Sequence, residues 1–210
     1  MKIAVLGSGT VGRTLAEGLA ARHEVVIGTR DPEATAGRAD WPDDLPGLAA
    51  YADAVADTEV VVNATNGQAS LDVLGAAGDL DGVVLLDVAN PLDFSAGFPP
   101  SLSVKDTDSL AEQIQRAHPG ARVVKSLNTV AADVMVDPGR VGDGDTTVFI
   151  AGDDAAARAV VRGLLQELGW RDVLEFDSLE PARGLEMWLP LWIRIMQQTG
   201  HGDFNLKLVR

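Results

Sequence analysis

Short apolar runs rich in β-branched residues recur at Lys2–Leu6, Val25–Gly28, Glu59–Asn63, Val83–Asp87, Arg122–Lys125 and Thr147–Ala151. Between them the pattern changes to helical spacing. Val11, Leu15 and Leu19 mark one face of a helix over Thr10–Arg22, and Asp153–Leu168 reads as another, with Asp153 and Asp154 where carboxylates suit the helix dipole. Strands alternating with helices predict a mostly parallel sheet covered on both faces, since each parallel crossover lays a helix over the sheet. Trp170–Phe176 predicts a late strand, and Asp31–Pro46, rich in Pro, Gly, Ala and Asp, a loop with a helical turn at most.

Toward the C-terminus Leu185, Trp188, Leu189, Trp192 and Met196 fall at i, i+3, i+4, i+7 and i+11, which predicts one apolar helix stripe kinked at Pro190. The glycine-punctuated "TGHGDFN" then predicts a turn, and the alternating "FNLKLV" a strand. The stripe has two readings. One is core packing; the other is a subunit interface or pocket lid, which predicts a homodimer. The expected organisation is a principal domain over residues 1–178 and a small helix-strand lobe over 179–210 packing on it.

With 210 residues, 46% of them hydrophobic, the chain can bury a full core. It has no cysteine, which removes disulfides, thiolate metal sites and a thiol nucleophile. No basic leader is read before Met1-Lys2-Ile3 and no apolar run approaches a membrane span, so a soluble cytoplasmic protein is expected. A net charge of −14 would repel a phosphate backbone, so no nucleic-acid partner is expected. An anionic small ligand would then need a local device to bind against the overall field.

Such a device is present at Gly7-Ser8-Gly9-Thr10-Val11-Gly12, which follows a strand and opens an amphipathic helix within one β-α-β unit. The first glycine allows the tight turn, the second lets backbone approach a pyrophosphate, and the third lets helix and strand pack closely. The expected fold is therefore α/β and Rossmann-type, with a doubly wound, mostly parallel sheet. At the end of the second strand, where NAD sites usually place a carboxylate, stand Thr29 and Arg30, a pair suited to the 2′-phosphate of NADP(H). Asp31 either caps a turn or meets the ribose. Ala64-Thr65 and Asn90 follow later strands at the same edge, where small and polar residues let the dinucleotide pass; an ordinary Asn-Pro turn is the plainer account of Asn90-Pro91. Lys125 is either a general acid or a solvated strand-end lysine. His23, His118 and His201 are scattered, so no catalytic triad and no metal site is read.

Taken in order and spacing, "MKIAVLGSGTVGRTLAEGLA", "EVVIGTRDP", "VVVNAT", "ARVVKSLNT", "VFIAGDD" and the terminal "MWLPLWIRIMQ" with its following glycines resemble the coenzyme F-420-dependent NADP oxidoreductase family over nearly the whole length. The resemblance implies an often dimeric oxidoreductase that passes a hydride between NADP(H) and a deazaflavin, coenzyme F-420, as its small-molecule partner. It implies that Ser8–Val11 hold the pyrophosphate and Thr29-Arg30 the 2′-phosphate. It also implies an acceptor pocket walled by Asn90, Pro91, Leu92, Asn128, Thr129, Val130, Gly200, Gly202 and Asp203. No catalytic side chain is implied, because the two rings need only be stacked. A flavin, ferric or imine reductase on the same scaffold, or a non-catalytic NADP(H) sensor, are the rival readings.

Overall fold

A computed structural model describes residues 1–42 and 44–210. Among these described residues ten strands form in chain order: β1 (Lys2–Leu6), β2 (Glu24–Thr29), β3 (Leu48–Ala50), β4 (Val60–Asn63), β5 (Val84–Asp87), β6 (Leu92–Asp93), β7 (Ser101–Leu102), β8 (Arg122–Ser126), β9 (Thr147–Ala151) and β10 (Asp172–Phe176). The helices are α1 (Thr10–Ala20), α2 (Pro32–Ala36), α3 (Tyr51–Val55), α4 (Ser70–Ala77), α5 (Leu110–Ala117), α6 (Ala132–Val136), α7 (Ala155–Glu167), α8 (Ala182–Met187) and α9 (Leu189–Thr199). Eight strands make one sheet in the order β10-β9-β8-β5-β4-β1-β2-β3. From β3 to β8 every pair is parallel, and β9 then runs antiparallel to β8 with β10 parallel to β9. This is a doubly wound Rossmann-type α/β sheet, and the strand order reverses between β1 and β4, where such sheets open their ligand crevice. Among the described residues no helix is long and apolar enough to cross a membrane.

The two-residue side-chain period of the strands builds a core on each face. Ile3, Val5, Val60, Val62 and Leu86 pack beneath α1, α6 and α7, while Ala4, Leu6, Val61 and Leu85 pack beneath α3, α4 and α5. Trp170, one of the largest fully buried side chains, fills the first layer and donates its indole N–H to the Met135 carbonyl.

Two expectations about the C-terminus are corrected. The stripe is not one kinked helix but two, α8 and α9, broken at Trp188; Pro190 sits in the first turn of α9, where its missing N–H costs nothing. Leu185, Leu189 and Ile193 are buried, whereas Met187 and Leu191 are 38% and 52% exposed, so the helices present apolar surface inward and outward. The terminal "FNLKLV" forms no strand. It meets β9 through a single backbone bond, Thr147 N–H to the Leu206 carbonyl, and is held besides by the Asn205 carboxamide, the Thr147 hydroxyl and the Lys207 ammonium on Asp145 and Asp172. Side chains therefore replace the ladder that a strand requires.

Lys125 also departs from expectation. It is fully buried, not solvated, and its ammonium lies 2.8 Å from Asp87 and 2.9 Å from Glu186 while donating to the Ala89 carbonyl. Glu186, on α8, accepts in turn from the backbone N–H groups of Leu110 and Ala111 that open α5. One cation thus joins β5, β8, α5 and α8. Removing it leaves two buried carboxylates facing each other, so Lys125→Met should lower stability by about 3–5 kcal/mol in urea melts. A loss under about 1 kcal/mol would show that the helices hold to the sheet without it.

Candidate nucleotide and acceptor cleft

The turn after β1 is shaped by two glycines. Gly7 has φ +124°, and a Cβ there would lie 2.5 Å from the Ala64 carbonyl oxygen; at Gly12 it would lie 1.9 Å from that of Gly7. Strand, turn and helix are packed too closely for any side chain. At Gly9 a Cβ meets nothing within 4 Å, so the backbone that opens α1 faces open space. Gly9 supplies no side-chain cap and the first turn carries no acid. The leading N–H groups of α1, at Thr10 to Gly12, are left to an anion, which the helix dipole favours.

Beside this loop lies the end of β2. Thr29 is buried, its hydroxyl 2.9 Å from that of Thr35, so it fastens α2 to the strand. Asp31 is the N-cap of α2, accepting from the Ala34 N–H at 2.9 Å, so it does cap the turn. Arg30 is exposed. Arg38, which no sequence motif marks, is carried by α2 back toward the glycine loop: its guanidinium donates to the Ser8 carbonyl at 3.2 Å and to the Ser8 hydroxyl at 3.4 Å. Arg13 and Arg38 both lie within 6 Å of the Trp41 ring centre, at 5.9 and 5.8 Å. The only legible signal was an arginine in an otherwise acidic and small-residue stretch.

Across the β1–β4 switch point opens a cavity of about 210 Å³, lined by Val11, Ala64, Thr65, Asn66, Gly67, Val88, Ala89, Asn90, Leu92 and Phe94. It gathers residues read separately from the sequence: Val11, Ala64, Thr65 and Asn90 from the dinucleotide set, and Asn90 with Leu92 from the acceptor set. Phe94, 51% exposed, was not foreseen. The walls are braced from behind. Thr65 donates its hydroxyl proton to Asn63 at 2.7 Å, Asn63 donates to Asp87 at 2.8 Å, and Asp87 meets Lys125. A Cβ at Gly67 would lie 2.0 Å from the Asn90 carbonyl oxygen, so the turn after β4 touches the loop after β5.

The remaining acceptor residues stand outside this lining. Asn128 is buried and exchanges two 2.9 Å hydrogen bonds with Asn90, one through its own carbonyl and one through its amide, which also reaches the Leu185 carbonyl at 3.0 Å. Pro91, Thr129 and Val130 are buried. Gly200 ends α9 in the left-handed conformation, Gly202 packs on Ala131 and Trp192, and Asp203 pairs with Arg140 at 3.3 Å. That turn reaches the segment bearing Asn128 through Ala131, not the cavity itself. Lys125 is sealed from the cavity, so its general-acid reading has no route to a ligand.

Comparison with known proteins agrees with this geometry. The family model described as "NADP oxidoreductase coenzyme F420-dependent" matches residues 2–91. A crystal structure of an Arthrobacter sp. FB24 protein, assigned as an F420-dependent NADP-reductase, is 54% identical over the full length of both chains with a TM-score of 0.97. The F420-dependent NADP reductase of Methanocaldococcus jannaschii is 27% identical over 92% of this chain and 91% of its own. Metalloreductase STEAP3 of Rattus norvegicus is 31% identical over 91% of this chain, which spans 38% of that protein's length.

The cavity wall gives a direct test of the packing. Gly67→Ala should cost roughly 1–3 kcal/mol in urea melts, because a methyl group must displace backbone. Gly75→Ala, on the exposed face of α4 with nothing within 4 Å, should instead stabilise by about 0.4–1 kcal/mol. Equal effects would mean that the Gly67–Asn90 contact yields easily.

Proposed function

The chain belongs to the coenzyme F-420-dependent NADP oxidoreductase family, and from that premise we propose that this NADP-dependent oxidoreductase transfers a hydride between NADP(H) and a deazaflavin, coenzyme F-420. The observation that carries the dinucleotide half is the uncapped N-terminus of α1, running into the cavity, beside a β2 end that presents Arg30 and turns its carboxylate, Asp31, into a helix cap. Ser8–Val11 hold the pyrophosphate and Arg30 the 2′-phosphate. Thr29 acts from beneath, by fixing α2. The names of the Arthrobacter and Methanocaldococcus relatives support the deazaflavin half.

The bound dinucleotide supplies the hydride; the chain supplies position. Among the described residues no titratable side chain lines the cavity. A reaction in which a wall residue must deliver a proton has no donor there, whereas direct transfer needs only that two rings be held face to face with water excluded. Ala64, Val88 and Ala89 offer small apolar walls, Thr65 and Asn90 hydrogen-bonding groups, and Leu92 with Phe94 an apolar rim for a flat acceptor. Asn128, Thr129, Val130, Gly200, Gly202 and Asp203 serve the acceptor side indirectly, Asn128 by orienting Asn90. We place the activity in the cytoplasm. We also infer that the outward face of Met187 and Leu191 lies between two copies of the chain, and sedimentation at high micromolar concentration should show a dimer; a monomer would return these residues to ordinary surface.

Purified protein should oxidise NADPH with coenzyme F-420 and not with FMN, a ferric chelate or a cyclic imine. NADPH should bind at least about tenfold tighter than NADH, and Arg30→Ala should remove most of that difference. Turnover of a flavin or imine without turnover of F-420 would overturn the acceptor, and equal dinucleotide affinities would overturn the phosphate site.

A further inference from the structure

Arg38 is held by an unusual set of partners for a surface arginine. Its Nε and Nη2 meet the two carboxylate oxygens of Asp40, at 3.0 and 2.8 Å, as a fork. Its remaining nitrogen reaches Ser8 in the glycine loop. Asp40 also lies 3.4 Å from Arg13 on α1, so one carboxylate sits between two guanidinium groups, both of which flank Trp41. The Arg38 guanidinium holds the Asp40 carboxyl below its ordinary range. All of this lies between the loop that receives the pyrophosphate and α2, which begins directly after Thr29-Arg30.

A planar fork gripping two oxygens of one anion is the geometry by which arginine takes a phosphate monoester. The pyrophosphate does not need it, because each of its phosphoryl groups carries one charge and backbone N–H groups at the head of α1 serve it. The 2′-phosphate does: it has three terminal oxygens and close to two charges at neutral pH, against one for a carboxylate. We propose that Asp40 competes with the 2′-phosphate of NADP(H) for the guanidinium of Arg38, so that Arg38 is a second phosphate-reading residue and Asp40 its displaceable internal anion.

The energetics suit such an exchange. The Asp40 side chain is 59% exposed, and an ion pair that open to water is weak enough for a doubly charged competitor to displace. Trp41 keeps both arginines in place through the exchange. Holding Arg38 on a carboxylate also keeps two neighbouring guanidinium groups from repelling each other before the phosphate arrives. The proposal rests on the NADP reading of the preceding section.

Calorimetric titration of the full chain with NADPH and with NADH at one fixed salt concentration tests it. Asp40→Asn should tighten NADPH about threefold and leave NADH unchanged, the range a surface ion pair allows. Arg38→Ala should weaken NADPH about tenfold with NADH within twofold, and adding Asp40→Asn to Arg38→Ala should bring no gain. Weaker NADPH binding by Asp40→Asn would show that Asp40 orients Arg38 instead of competing, and would overturn the proposal. A gain shared equally by NADH, or one that survives in the double variant, would overturn it as well. Equal affinity of the unsubstituted protein for both dinucleotides would instead sink the NADP reading itself. Urea melts of both variants should match the parent, since neither side chain is buried.

Discussion

The wall of the cavity at the β1–β4 switch point is braced by one buried ammonium. Lys125 stands between Asp87 and Glu186 with no access to water, so one ammonium is shared by two buried carboxyl groups. Neutral donors complete the cluster: the Asn63 amide and Ala89 N–H on Asp87, and the first two N–H groups of α5 on Glu186. Burial alone would push Lys125 down, but its two carboxylates outweigh it and hold the lysine charged; burial pushes Glu186 up, against the pull of Lys125. The network also holds the cavity wall in place. It fixes the Ala89 carbonyl in the cavity wall, steadies Thr65 through Asn63, and ties α8 to the sheet, where the Leu185 carbonyl then receives Asn128.

The opposite side of the cleft solves a different problem. A chain of net charge −14 that takes NADP(H) needs local devices, and two stand here: a helix N-terminus without a side-chain cap, and a group of arginines around Ser8, Trp41 and Arg30. Short-range contacts prevail there because exposed charges more than a Debye length away are screened, at roughly 8 Å in physiological salt. The two sides meet at the β1–β4 reversal, so sheet topology alone brings the dinucleotide site beside the cavity.

Much of this architecture is legible in the order of the residues. β-branched runs mark the strands of the large sheet other than β10 and the three-residue β3, and the glycine spacing locates a helix terminus that faces open space. What stays hidden depends on distance along the chain. Nothing near Lys125 announces that Asp87 and Glu186 converge on it, so a strand-end lysine reads as solvated. Arg38 is hidden because a composition typical of loops gives no clue that α2 turns the chain back onto Ser8. The terminal segment has strand-like alternation, yet β9 offers it one backbone partner, and alternation cannot reveal how much edge is free. Asn128 reads as a pocket wall; that it also exchanges two hydrogen bonds with Asn90 is a contact across the fold that no neighbouring residue announces.

In the proposed reaction this cleft positions two ligands for direct hydride transfer without a proton-carrying side chain. NADPH deuterated on one face of the nicotinamide C4, and separately on the other, reports on it when each is turned over with coenzyme F-420 and the reduced deazaflavin is examined by mass spectrometry. Full deuterium transfer into the product is expected from one of the two labelled forms and none from the other. Loss of the label to solvent from both, or equal labelling from either face, would contradict it.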